Sequence, residues 1–461
     1  MTFALYFGNR GFFPGELIAS AREEMIKAVT NAGYDYIVMD EDKTKFGAVE
    51  TAQDGKIYAD FLSENKGNYD GVILCLPNFG DENGAIAALR DCGVPILIQA
   101  YPDEIGKMDF SLRRDAFCGK FSIMDVFCQY HLPFTVFEPH TTHPLSSIFA
   151  AQLKDFAAVC SIVKKMKRFT VGAIGARTTA FKTVRYDELT LQKYNITVEA
   201  LDLSELIIRV NSIDMNKVKN KIERLVNYTD FSCVPKEKTE TLAKISVAID
   251  DMISDYGLDC IALRCWNEIQ QYFGVAPCVL LSELNDRGIA AACELDICNA
   301  ISMIALRLAS EKPAMCLDWN NNYGEDENKC ILFHCGPVAQ SLMTAKGTVT
   351  DHKMFAKSYG DGCGWGSNEG RIASFPMTFV SSKTENGKLI FYTGQGEFTT
   401  DEIEKDFFGC GGVAKIEDLQ KKLIKIGKNG FRHHVSVTCG HLEKTVLEAF
   451  STYLNYDIQE L

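Results

Sequence analysis

Short apolar runs alternate with helix-length stretches over the first hundred residues, and this alternation limits the fold more than any other feature. Residues 3–7, 34–39, 71–76 and 95–99 read as strands, and residues 16–32 as a helix. Strands apolar on both faces and separated by helices build a parallel sheet covered on both sides. The pattern resumes at 169–174, 197–201, 260–263 and 279–281, after a helix-length segment at 144–167 and around a polar helical stretch at 214–257. After Pro313 the character changes. Asn386-Gly387 between the apolar runs 377–382 and 389–393 is a hairpin signal, Gly394-Gln395-Gly396 and residues 409–412 read as further turns, and 443–453 reads as a closing helix. The expected fold class is α/β. Two parallel-sheet domains, 1–167 and 168–312, precede a mainly antiparallel, barrel-like C-terminal domain, 313–461.

Composition narrows the partners. A net charge of −13 gives no basic footprint for nucleic acid and no attraction to an anionic membrane. No apolar run approaches the ~20 residues of a bilayer span, and Met1-Thr2-Phe3 leads straight into a strand without a basic leader. The 17 cysteines, among them Cys75, Cys160, Cys278, Cys316 and Cys330, are scattered through apolar runs with no close-spaced framework. Reduced core thiols and a cytoplasmic location are expected. Val171-Gly172-Ala173-Ile174-Gly175 lacks the third glycine of a dinucleotide loop and reads as a strand.

The chemistry concentrates between Ala291 and Pro337. Glu294 opens a helix-length apolar segment, Asp318 follows an apolar run, and His334 closes another. Carboxylates seated among buried segments need a partner, and a divalent cation is one. Downstream, His433 and His434 fall in an alternating run, which puts one imidazole inward and the other outward. Converting an aldose to a ketose requires a base that moves a proton from C2 to C1 through an enediol, and a cation or acid that steadies the oxyanion. Glu294 and Asp318 as catalytic carboxylates, with Glu294, Asp318 and His434 as metal ligands, would meet that need. An oxygen-rich set with one imidazole suits manganese, Mn2+, or another hard divalent cation. Ligands of parallel sheets gather beyond the strand C-termini, which makes Arg10 and Trp266 substrate-binding candidates alongside His334 and His433. Plainer roles compete: a solvated loop for Arg10, packing for Trp266, a helix-start carboxylate for Glu294 and a satisfied core imidazole for His334.

The motifs Ala292-Cys293-Glu294-Leu295-Asp296, Leu317-Asp318 with its Asn-rich acidic loop, Phe333-His334-Cys335-Gly336, the run from His434 to His441 and Asp115-Ala116-Phe117-Cys118-Gly119 resemble the L-fucose isomerase and L-arabinose isomerase superfamily. The resemblance implies two Rossmann-like sheets and a barrel-like domain. It implies manganese on Glu294, Asp318 and His434, with the carboxylates as proton-transferring acid and base. It further implies a homohexamer in which a neighbour's N-terminal domain helps close each cleft. The substrate would be a free aldose: L-fucose, L-arabinose, D-arabinose or a modified hexose such as sulfoquinovose, whose anionic tail Arg10 or the group Arg177, Lys182 and Arg185 would meet. His433 stands where the fucose branch carries an amide. A sugar-binding or regulatory protein without turnover stays open as an alternative, and paired carboxylates also serve glycosidases.

Overall fold

The computed structural model describes residues 1–461. The chain divides into a first unit of residues 1–164 with 448–455 and a second of residues 165–447 with 456–461. In the first unit β1 (Thr2–Phe7), β2 (Asp35–Val38), β3 (Gly71–Leu76) and β4 (Ile96–Ala100) form a parallel sheet in the order β2-β1-β3-β4. Every residue of β3 and β4 is buried, which explains why these runs show no polar alternation. Helices Leu17–Asn31, Ala52–Glu64, Glu82–Leu89, Ala116–Gln129 and Ser147–Met166 belong to the connections. Thr51 and Asp54 start the second of these with a reciprocal capping box, a device worth about 1 kcal/mol.

The second unit begins with another parallel sheet. β5 (Phe169–Ile174), β6 (Ile196–Leu201), β7 (Cys260–Leu263) and β8 (Ala290–Ala292) run in the order β6-β5-β7-β8. The polar stretch before β7 is a pair of helices, Met215–Tyr228 and Lys236–Asp255. The strand expected at 279–281 is corrected: these residues lie inside the helix Cys278–Asp286, where all but the last position is buried. A short apolar run buried on every side has no periodicity to separate helix from strand. The fourth strand is instead Ala290–Ala292.

Beyond it, β9 (Ala314–Asn322), β10 (Lys329–His334), β11 (Thr348–Asp351), β12 (Trp365–Arg371), β13 (Phe375–Glu385), β14 (Lys388–Phe398), β15 (Cys410–Lys415), β16 (His434–Cys439) and β17 (Asp457–Glu460) form one nine-stranded sheet. Six of them close on themselves in the cycle β15-β10-β9-β16-β13-β14, antiparallel throughout, the last pairing being Glu397 with Lys415 and Phe398 with Ala414. Met315, Leu317, Leu332, Phe379, Val435 and Val437 share the core of this barrel. The hairpin falls where expected, with Asn386 at φ 51° and Gly387 at φ 72°. Left-handed conformation at both loop positions matches the strand twist and suits an Asn-Gly pair. Gly394-Gln395-Gly396 and Gly411-Gly412 lie within β14 and β15 rather than in turns. Residues 443–453 divide into an α-helix, Glu443–Leu447, and a π-helical turn, Glu448–Tyr453. No helix is long and apolar enough to cross a membrane.

Candidate active site

Four segments of the second unit meet at one site: β9, β10, β16 and the turn after β8. β16 pairs with β9 in a register that sets His434 against Asp318, and Phe333, next to His334, pairs with Asp318 from β10. Glu294 comes from the parallel sheet, two residues beyond the end of β8. Glu294 and Leu295 both adopt left-handed backbone conformations, with φ of 59° and 60°. Such conformations are costly for side chains with a Cβ and concentrate where the local fold serves a site.

His434 is the hub. Its Nε2 lies 3.1 Å from Glu294 Oε2 and 3.3 Å from Asp318 Oδ1, and its Nδ1 lies 2.8 Å from Asp296 Oδ2. Asp296 is fully buried, ion-paired with buried Arg432, and caps the helix Ile297–Ser310 by accepting from the Asn299 amide. The expected helix-start carboxylate is therefore Asp296 rather than Glu294. Because the Asp296 carboxylate accepts from Nδ1–H, the lone pair of neutral His434 sits on Nε2, facing Glu294 and Asp318. Burial raises the Asp296 pKa, but Arg432 and His434 outweigh it and hold the carboxyl well below its usual range. Burial likewise raises Glu294, and the hydrogen bond that His434 Nε2–H donates when the ring is charged turns the net shift downward. Burial disfavours a charged His434, yet its two carboxylate partners push its pKa well up.

His334 has the opposite arrangement. The backbone N–H of Cys335 donates to its Nδ1 at 2.9 Å, which leaves the proton of the neutral ring on Nε2. That nitrogen is buried and without a hydrogen-bond partner, as is Asp318 Oδ1. His433 also reaches the site, 3.6 Å from Asp318 Oδ1 and with its ring centroid 4.5 Å from that of His434. As the alternation implies, His434 is buried and His433 exposed, and His433 reaches the site only from its rim. Two sets, Glu294 with His433 and His434 and Asp318 with His334 and His434, have donor atoms close enough to share an ion.

A cavity of about 260 Å³ reaches Glu294 and is lined by Trp266, Asn267, Cys278, Cys335, His352 and Phe355, among others. Phe181 touches the rings of Trp266, His433 and His434, at 5.9, 5.4 and 5.7 Å between centroids. Arg10 belongs to the first unit. Its guanidinium pairs with Glu82, donates to the Gly80 carbonyl at 2.7 Å and lies 4.2 Å over Phe79. Sequence reasoning passed over Asp296, Arg432 and Phe181. Asp296 and Arg432 each flank a candidate closely, and a buried positioning role was the signal to seek.

Residues 4–167 match the family model described as fucose/sulfoquinovose isomerase, N-terminal domain, and residues 332–461 match L-fucose isomerase, C-terminal domain. A sulfoquinovose isomerase of Priestia aryabhattai is 23% identical over 392 residues, covering 84% of this chain and 85% of the relative. A sulfoquinovose isomerase of Alkalicoccus urumqiensis is 21% identical over 390 residues, with 84% and 85% covered. The two domain matches, the paired parallel sheets with a closed barrel and the homologous isomerases together make this chain an isomerase enzyme of the L-fucose isomerase-like superfamily.

Proposed function

We propose that the protein is a divalent-cation-dependent aldose-ketose isomerase acting on a sulfonated hexose of the sulfoquinovose type. The observation that carries the reading is the convergence of the Glu294 and Asp318 carboxylates on one nitrogen of His434. Two oxygens and an imidazole suit manganese, and Asp318 Oδ1, which accepts no hydrogen bond, is a buried oxygen that a cation would satisfy. Glu294, Asp318 and His434 are the residues that would hold it, with Asp296 and Arg432 fixing the imidazole. A cation bound there supplies electrophilic stabilisation to the sugar oxygens as negative charge builds on them.

The chain's own groups handle the protons. One of Glu294 and Asp318 takes the C2 proton and returns it to C1. The other accepts the proton of the C2 hydroxyl and delivers one to the C1 oxygen, so the carbonyl passes from C1 to C2 with no net gain or loss of atoms. His334 Nε2–H donates to a sugar oxygen, Trp266 packs against the carbon skeleton, and half-exposed His433 contacts hydroxyls at the rim. Lys182 and Arg185 are exposed and follow Phe181 in sequence, and Arg177 precedes Thr178, which donates to the Trp266 carbonyl at 3.1 Å. That cation-rich segment beside the site favours an anionic sugar tail over a neutral one. Arg10, paired with Glu82, is a secondary contact.

The reading includes self-association as a homohexamer, supported by exposed Ile105, Met108, Phe110, Leu112, Phe117 and Phe121 in the first unit. It includes a cytoplasmic setting, which suits cysteines that form no disulfide. The test is incubation of the purified, manganese-loaded protein with sulfoquinovose, L-fucose, L-arabinose and D-arabinose. Ketose formation fastest with the sulfonated sugar is expected. Equal or better turnover of a neutral aldose would overturn the substrate assignment, and no ketose from any of the four would reject this reading in favour of a sugar-binding role.

A further inference from the structure

At two places the chain sets a sulfur beside a residue of the carboxylate-imidazole group: Cys293 precedes Glu294, and Cys335 follows His334. The sulfurs converge on their own. Cys278 and Cys335 have Sγ atoms 3.7 Å apart. The Cys293 thiol meets those of Cys265 and Cys335. All four cysteines are buried and free of disulfides. Donor atoms of Cys293, His334 and Cys335 lie within 4.8 Å of one another. The Nδ1 of His334 already accepts the Cys335 amide, so the imidazole contributes less than the thiols.

Two sulfurs held tetrahedrally at ~2.3 Å from one zinc stand about 3.8 Å apart. The Cys278–Cys335 spacing fits that geometry without movement, whereas a disulfide requires the sulfurs to close to ~2.05 Å. An entry route is present, because Cys265, Cys278 and Cys335 line the same cavity as Glu294. We infer that Cys335, which lies against Cys278 on one side and Cys293 on the other, centres a second cation site completed by those two sulfurs, selective for a thiophilic d10 ion such as zinc or cadmium, next to the oxygen and imidazole donors. Softness separates the two sites: thiolates select zinc or cadmium, and carboxylates select manganese. The thiols lose their protons to solvent as the ion binds, and no oxidant or reductant is involved.

The experiment uses the full chain with exposed Cys118, Cys128 and Cys233 replaced by Ser, kept in excess manganese and titrated with cadmium. A cadmium-thiolate charge-transfer band that saturates at one equivalent per chain is expected. In the same background Cys335→Ser and Cys278→Ala should each weaken binding at least tenfold, while Cys75→Ser, in the first unit, leaves it unchanged. Absence of the band, or a band that survives both substitutions, overturns the site. Anomalous diffraction from a cadmium-soaked crystal of the unaltered protein needs no variant to fold. A peak among the sulfurs of Cys278, Cys293 and Cys335 supports the site, and peaks only at surface cysteines or at carboxylates refute it. The band reports sulfur alone, so the outcome is independent of whether manganese or a sugar binds as proposed above.

Discussion

Asp296→Asn probes how the site is held together, because the substitution keeps the shape of the side chain and removes only its charge. Asp296 and His434 are 0% exposed and the Arg432 side chain is 3% exposed, so the network is dry. Removing one member of a buried ion pair costs about 3–5 kcal/mol, most of it the penalty of leaving the partner's charge unpaired. At roughly 2 °C per kcal/mol for a unit of this size, melting should fall by about 6–10 °C. A second loss is expected in cation binding. The amide no longer fixes the Nδ1 proton with a charged acceptor, and losing such an outer partner lowers metal affinity by about 10–100-fold, or roughly 1.4–2.7 kcal/mol. Scanning calorimetry and manganese titration calorimetry read the two effects separately. The double variant Asp296→Asn/Arg432→Met should recover most of the melting temperature, since no charge is left stranded, but none of the cation affinity. A single variant that binds manganese like the parent, or a double variant no more stable than the single, would refute the reasoning.

Further outcomes follow from the same coordinates. Glu294→Gln should lower turnover by about 10²–10⁴-fold with an unchanged circular dichroism spectrum, and retained turnover would remove Glu294 from the proton path. Burial pulls the Lys120 ammonium, which donates to the His140 carbonyl at 2.7 Å, from 10.5 down to about 8. The folded chain then binds fewer protons than the unfolded chain between those values, so the penalty is full below pH 8 and fades as pH rises to 10.5. Lys120→Met should accordingly be more stable than the parent by roughly 3 kcal/mol at pH 7, an advantage that chemical denaturation at pH 7, 9 and 10 should find shrinking. Manganese at 100 times its dissociation constant should raise stability by about 2.7 kcal/mol, and the gain should vanish in His434→Ala.

The sequence made the framework readable because its strands are either fully buried, as at Gly71–Leu76, or bounded by decisive turn chemistry, as at Asn386-Gly387. It failed at Ala290–Ala292, where three alanines carry no strand preference, and at 279–281, where complete burial erases the helical pattern. Glu294, Asp318 and His434 could be named as candidates by residue type. Their meeting depends on barrel register and on two left-handed residues after β8, and neither is written in local periodicity. Asp296 stayed hidden because an acidic residue before an apolar helix already has an ordinary explanation, and it does cap that helix while also gripping His434.

A sheet rolled shut has no rim to offer. Of the nine barrel-region strands, the only ones left at the ends of the sheet are Thr348–Asp351 and Asp457–Glu460, each four residues long and each carrying at least one acid. Such short, negatively charged margins are poor templates for the backbone of another chain. The barrel region thereby offers little purchase for fibrillar stacking.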